Sequence, residues 1–335
     1  MKNARNENQD QQILTEINLQ IEKSKHILIT SHQNPDGDSV GSQIALGELL
    51  KLFNKKYWIY NDGEIPKKYR FVDPDRIIIT DEAHAEKIDP DLVIVVECPN
   101  INRIGWVSDY IPEDVPIVNI DHHQDNQNFG TINYIDKTRA AVAEMIYELF
   151  KINNLSPNKL TADAVFLAIY TDTGRFRHDC TTPEALRTCA ELMEHGADPT
   201  YIADNAYYNY PLSALKLRGE VLRNMEMHLD NRVCFLTVTD DDLRKTNAQP
   251  PAIEGLIDYG LYIDGVLAGL LFKDLDNNEI RVGFRCREGY SILDIARKYG
   301  GGGHCHAAGC SYYGTLEDAK KSILEDLKRM LDGAQ

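Results

Sequence analysis

The sequence predicts an α/β protein with two domains. Three observations carry this: a length of 335 residues, a first half in which short apolar runs alternate with helical spacing, and strand signals that return after residue 231. A chain of that length exceeds what one core usually organises. The runs His26 to Thr30, Tyr57 to Tyr60, Arg76 to Thr80, Leu92 to Val96 and Ile117 to Ile120 are compact and rich in β-branched or aromatic residues, as buried parallel strands are. Between and after them, Val40 to Phe53 and Ala140 to Phe150 place apolar residues three or four apart. A doubly wound, mainly parallel sheet follows.

From Thr161 to about Asn224 the pattern turns helical, with His195-Gly196-Ala197-Asp198-Pro199 stopping one helix and starting the next. The run Tyr207 to Tyr210, followed by Pro211, reads as an interdomain bend. Val233 to Val238, Leu267 to Phe272 and Glu279 to Phe284 are strands of a smaller second α/β domain. The expected boundaries are 1–196, a helical linker at 197–230, and 231–335.

Composition narrows the function. The 43% apolar and 26% charged content is that of a globular protein. No apolar run approaches the ~20 residues of a membrane span, and Met1 to Gln12 lacks an apolar leader core, so a cytoplasmic protein is expected. The seven cysteines form no Cys-x-x-Cys pair, which argues against a disulfide framework or zinc ribbon. A net charge of −16 works against long polyanions, because non-specific nucleic-acid affinity comes from neutralising many phosphates. Any nucleic-acid substrate should be short.

The strand ending at Thr30 runs into Ser31-His32-Gln33-Asn34-Pro35-Asp36-Gly37-Asp38-Ser39 and only then, on this reading, into a helix. One His and two Asp thus lie at a strand's C-terminal end, where open α/β sheets place ligand sites. Pro35 and Gly37 are turn residues that bend the loop so that its carboxylates converge. Two further elements end alike, in Asp121-His122-His123 and in Tyr170-Thr171-Asp172-Thr173-Gly174. Singly, a His-His pair or an Asn-Pro-Asp-Gly turn is as often structural as functional; their recurrence at successive element ends points to one site. Imidazole mixed with carboxylate suits manganese, zinc or iron better than calcium or an all-oxygen magnesium cage.

The segments HQNPDGDSVGS, NIDHHQDN, YTDTGRF and GGGGHCHAAG together resemble the successive motifs of the DHH phosphoesterase family, in its nanoRNase and 3′-phosphoadenosine 5′-phosphate phosphatase branch, over roughly residues 25 to 312. The resemblance implies two divalent ions, with manganese expected: one on His32 and Asp36, the other on Asp38, His122 and Asp172. It implies that Asp121 orients the His122 ring and that His123 faces the scissile phosphate. The bridging ligand of that family is an Asp at the end of the preceding strand; here that position is Glu97. Asp91 begins the same strand, ~20 Å away, and cannot replace it.

The family's DHH-associated C-terminal domain implies that Arg285, Gly301, Gly302, Gly303 and His304 hold the terminal nucleotide and its phosphate, with the active site in the cleft between the domains. Consecutive glycines let backbone N–H groups approach a phosphate closely, and a guanidinium binds phosphate bidentately. Related sequences commonly carry Ser where Cys286 stands. Arg287 reads as solvated, His178 and His195 as loop residues. His304-Cys305-His306 has poor spacing for zinc.

The expected substrates are oligonucleotides of about two to five residues, linear di-adenylate included, and 3′-phosphoadenosine 5′-phosphate. A homodimer is common in such families. The competing readings are a family-II-like inorganic pyrophosphatase, a longer single-strand exonuclease, and a nucleotide-binding regulator that has lost catalysis.

Overall fold

The computed structural model describes residues 7–276, 279–303 and 305–332. The chain divides into two compact units, Met1–Asn209 and Tyr210–Gln335.

In the first unit, β1 (His26–Thr30), β2 (Lys56–Tyr60), β3 (Ile78–Ile79), β4 (Leu92–Val96), β5 (Ile117–Asp121) and β6 (Ile132–Ile135) form one parallel sheet in the order β3-β2-β1-β4-β5-β6. Every adjacent pair is parallel, so each connection must cross over. The strand order reverses between β1 and β4, which opens a crevice at their C-terminal ends. Two strands depart from expectation. Arg76 adopts φ 53, a left-handed backbone that breaks the run Arg76 to Thr80 and leaves only two residues paired. Strand β6 has just four residues, INYI, too short a run to stand out in the sequence.

The helices of this unit are α1 (Glu7–Lys23), α2 (Gly37–Leu52), α3 (Val142–Ile152), α4 (Lys159–Asp172), α5 (Pro183–Glu194) and α6 (Pro199–Tyr207). Although it opens in a polar stretch, α1 buries Leu14, Ile17 and Ile21, a stripe at helical spacing. Helix α2 is buried from Gly37 to Leu50. It packs on α4 through glycines: a Cβ at Gly41 would lie 2.4 Å from the Ala164 carbonyl oxygen, and one at Gly37 would lie 2.2 Å from Thr171 Oγ1. That close approach sets the start of α2 against the end of α4.

The second unit contains α7 (Leu212–Arg223), β7 (Glu226–His228), β8 (Val233–Thr239), α8 (Asp240–Thr246), β9 (Ala268–Asp276), β10 (Glu279–Cys286), α9 (Leu293–Lys298), β11 (Gly302–Gly303), β12 (Ala307–Tyr313) and α10 (Leu316–Asp332). Its six strands make a mixed sheet in the order β11-β12-β10-β9-β8-β7, antiparallel except for the β8–β9 pair. Helix α10 buries Ala319, Ile323, Leu327 and Leu331 in the same apolar cluster as Phe235, Phe272 and Phe284. Among the described residues no helix is long and apolar enough to cross a membrane.

Candidate metal centre

Helix α2 begins at Gly37, earlier than the sequence suggests, because Asp36 caps it: Asp36 Oδ1 accepts from the Ser39 amide at 2.9 Å. Asp36 and Asp38 are therefore a helix cap and a first-turn residue rather than two loop carboxylates. Asp38 is fully buried. Its Oδ2 accepts from the Val142 amide at 2.6 Å, and its Oδ1 from the Ala143 amide and the Ser42 hydroxyl at 3.1 and 2.9 Å. The N-terminus of α3 thus grips the carboxylate with its free amides.

The two imidazoles that end β1 and β5 are held alike. His32 Nδ1 lies 2.7 Å from the Gln33 carbonyl and His122 Nδ1 lies 3.1 Å from the Arg139 carbonyl. Donation from Nδ1 leaves each Nε2 free to ligate. His122 Nε2 lies 3.4 Å from both Glu97 Oε2 and Asp172 Oδ2, and His32 Nε2 lies 4.0 Å from Asp36 Oδ2.

Asp121 does not orient His122. Its Oδ1 stands 2.8 Å from Nδ1 of His123. The reason is the pleat: residues two apart in an extended chain point to the same side, adjacent ones to opposite sides. Asp121 is buried, yet hydrogen bonds from His123 and Asn126 outweigh that burial and hold its carboxyl below the usual range. The Asp91 carboxylate accepts from the Lys25 and His26 amides at the start of β1.

Among the described residues, three sets of side chains each bring ligand atoms within 4.8 Å of one another: His32, Asp36 and Glu97; Glu97, His122 and His123; and Asp38, His122 and Asp172. Glu97 belongs to two of them. It is buried, its backbone is left-handed at φ 52, and its Oε2 has no hydrogen-bond partner. Burial drives the carboxyls of Glu97 and Asp172 well above the usual range, and Asp38 is raised too. Burial would lower His122, but Glu97, Asp172 and Asp38 outweigh it and carry the imidazole to about 12. Such a donor set, crowded with negative charge and leaving a buried carboxylate oxygen unbonded, fits divalent cations, which would displace the shared protons.

Sequence reasoning missed Asn119 and Asn126. Asn119 is a buried polar residue flanked in β5 by the apolar Val118 and Ile120, and that mismatch is the available signal. His178 is exposed, with Nδ1 3.3 Å from the Asp172 carbonyl.

In the second unit, the half-exposed Arg285 lies 3.7 Å from Asp258 Oδ1, and its Nη1 donates to the Phe284 carbonyl at 3.0 Å. Arg287 is not simply solvated: it donates to the Val266 and Leu261 carbonyls at 2.7 and 2.9 Å, which ties it to the loop before β9. Cys286 is buried with its thiol toward the Tyr290 and Cys305 carbonyls, and burial lifts it to about 11. Gly302 and Gly303 form the edge strand β11, and Gly301 abuts β12. His304 lies outside the described residues.

The sequence comparisons agree with this architecture. Residues 26–169 match the DHH family N-terminal domain and residues 230–333 match the DHHA1 domain. A Thermus thermophilus protein named bifunctional oligoribonuclease and PAP phosphatase NrnA is 30% identical over 315 residues, covering 92% of this chain and 91% of the relative. The chain belongs to the DHH family. A Bacillus subtilis protein of the same name is also 30% identical, covering 91% of this chain and 94% of its own. An exopolyphosphatase-related protein from Bacteroides fragilis shares the fold, with a TM-score of 0.89 at 24% identity over 96% of this chain and 98% of that one.

Proposed function

We propose that this chain is a metal-dependent phosphoesterase that hydrolyses oligonucleotides of about two to five residues, linear di-adenylate among them, to mononucleotides, and 3′-phosphoadenosine 5′-phosphate to AMP. The observation that carries the reading is Glu97, a buried carboxylate common to the set with His32 and Asp36 and to the set with His122 and His123, His122 in turn joining Asp38 and Asp172. His32, Asp36 and Glu97 would hold one divalent ion, and Asp38, His122 and Asp172, with Glu97 shared, the other. The mixed imidazole and carboxylate donors suit manganese, zinc or iron, and manganese is the ion proposed. When bound, two such ions lower the pKa of a water and neutralise charge on the phosphoryl group.

The chain's own residues do the rest. Asp121 fixes the His123 ring at Nδ1, so that Nε2 is presented to a phosphate oxygen. The Arg139 and Gln33 carbonyls hold the ligating rings in one tautomer. Arg285 and the outer backbone groups of the β11 edge bind the terminal nucleotide's phosphate, since an edge strand leaves one row of N–H and C=O groups unpaired. The names of the T. thermophilus and B. subtilis relatives support the same substrate class.

The test is turnover with manganese of a labelled dinucleotide, 3′-phosphoadenosine 5′-phosphate and pyrophosphate in parallel. Cleavage of the first is the expected result. Turnover of pyrophosphate alone would overturn the assignment, and binding without turnover would make the chain a regulator.

A further inference from the structure

Glu97 is an unusual place for a left-handed backbone. A non-glycine residue there is strained, and it persists only where the surroundings over-determine it. The surroundings that do so are two amide side chains. Asn119, on β5 beside Val95, donates from Nδ2 to the Val95 carbonyl at 3.3 Å and to the Cys98 carbonyl at 3.2 Å. These two carbonyls flank Glu97 in the chain. Asn126 donates from Nδ2 to the same Cys98 carbonyl at 3.3 Å, to Asn119 Oδ1 at 2.8 Å and to Asp121 Oδ2 at 2.6 Å. Its own Oδ1 accepts from the Asn128 amide at 2.7 Å. The Glu97 amide donates to the Ile120 carbonyl and the Gln127 amide to the Pro99 carbonyl, so the whole corner is strapped to β5 and the segment after it.

We infer that Asn119 and Asn126 form a positioning clamp that holds Glu97 where it can serve two ions and, through Asp121, fixes the His123 ring in the same network. Neither asparagine touches a ligand atom of the proposed metals; each acts through the backbone or through Asp121. A hydrogen-bonded, partly buried network of this kind fixes one geometry, and removal of either asparagine leaves acceptors unpaired. Without the clamp, the backbone at Glu97 is free to relax to the extended region, and the carboxylate leaves the shared position. The inference rests on the reading of Glu97 as a shared ligand.

Isothermal titration of the full chain with manganese alone tests both. The wild type should take up two ions. Asn126→Ala and Asn119→Ala should each weaken uptake of one ion by about 10- to 100-fold, the usual cost of removing support around a ligand. The double variant should lose little more than either single one, because the two act as one unit. Asn158→Ala is the control for mere loss of stability. It removes the cap of α4, whose side chain accepts from the Thr161 amide, at the end of the helix ~20 Å from Asp172. It should lower the melting temperature and leave manganese affinity as in the wild type. If both clamp variants behave like Asn158→Ala, the positioning role is wrong and the metal reading stands. A wild type that binds no manganese overturns both. Should one clamp variant fail to fold, the other still decides.

Discussion

The Glu97 corner and the glycine run at 300–303 are both places where the chain leaves ordinary backbone geometry, and they do so by opposite means. At Glu97 a side chain is wanted at φ 52, and the chain surrounds it with hydrogen-bonded asparagines and buries it. At Gly300 and Gly303, φ values of 74 and 135 cost a glycine little. The first region offers a carboxylate and depends on its neighbours. The second offers backbone, stands at a sheet edge and needs only the absence of side chains. Under the proposed function the first would serve cations and the second a phosphate.

The strongest way to break the comparison is to remove the side chain for which the corner exists. Glu97→Ala should lower turnover more than about 100-fold, beyond the 10- to 100-fold typical of residues that only support a ligand, and manganese uptake should fall from two ions to one. Calorimetry and single-turnover assays on the same preparation check this. Unchanged uptake would mean that the corner serves another purpose.

The buried region should also reveal itself in its pH dependence. Burial pushes the Glu144 carboxyl, at the start of α3, from 4.5 up to about 7. Folded protein then binds that proton more tightly than unfolded protein, so the stability it confers is present below pH 4.5 and is lost as pH rises through about 7. Glu144→Gln removes the penalty. In chelator-treated protein the variant should exceed the wild type at pH 8 by on the order of 3 kcal/mol, with the gap closing towards pH 4.5. Urea melts across that range measure it, and a gap that ignores pH would contradict the burial argument.

The parts of this design that were legible in the sequence are those set by local pattern. The parallel sheet followed from Val- and Ile-rich runs, and the gathering of His32, Asp36, Asp38, His122 and Asp172 followed from their place at element ends, whereas Glu97 came only from the resemblance to the family. What escaped depends on contacts distant in sequence. Asn119 and Asn126 matter because of carbonyls at Val95 and Cys98, more than twenty positions away, and no local spacing announces that. The clasp of α3 on Asp38 spans more than a hundred positions. The pairing of Asp121 with His123 was available from strand alternation alone, but the resemblance to the family supplied a different partner. Strand β12 was hidden because Ala307 to Tyr313 is built largely of small residues rather than branched ones.

The smallest effect concerns the glycine strip, where two adjacent positions should separate packing from binding. A Cβ at Gly301 would lie 2.0 Å from the Gly309 carbonyl oxygen and 2.6 Å from Cys310 Cβ, so Gly301→Ala must shift β12. Overpacking of that kind costs about 1–3 kcal/mol, seen as a lower urea midpoint for the second unit. A Cβ at Gly302 meets nothing within 4 Å. Gly302→Ala should therefore change stability by less than about 0.5 kcal/mol. Its methyl nevertheless stands on the edge strand whose backbone is assigned to the phosphate, so KM for a dinucleotide should rise several-fold with kcat little changed. Equal KM in the wild type and Gly302→Ala would move the phosphate off this edge and leave the run of glycines to the packing of β11 on β12 alone.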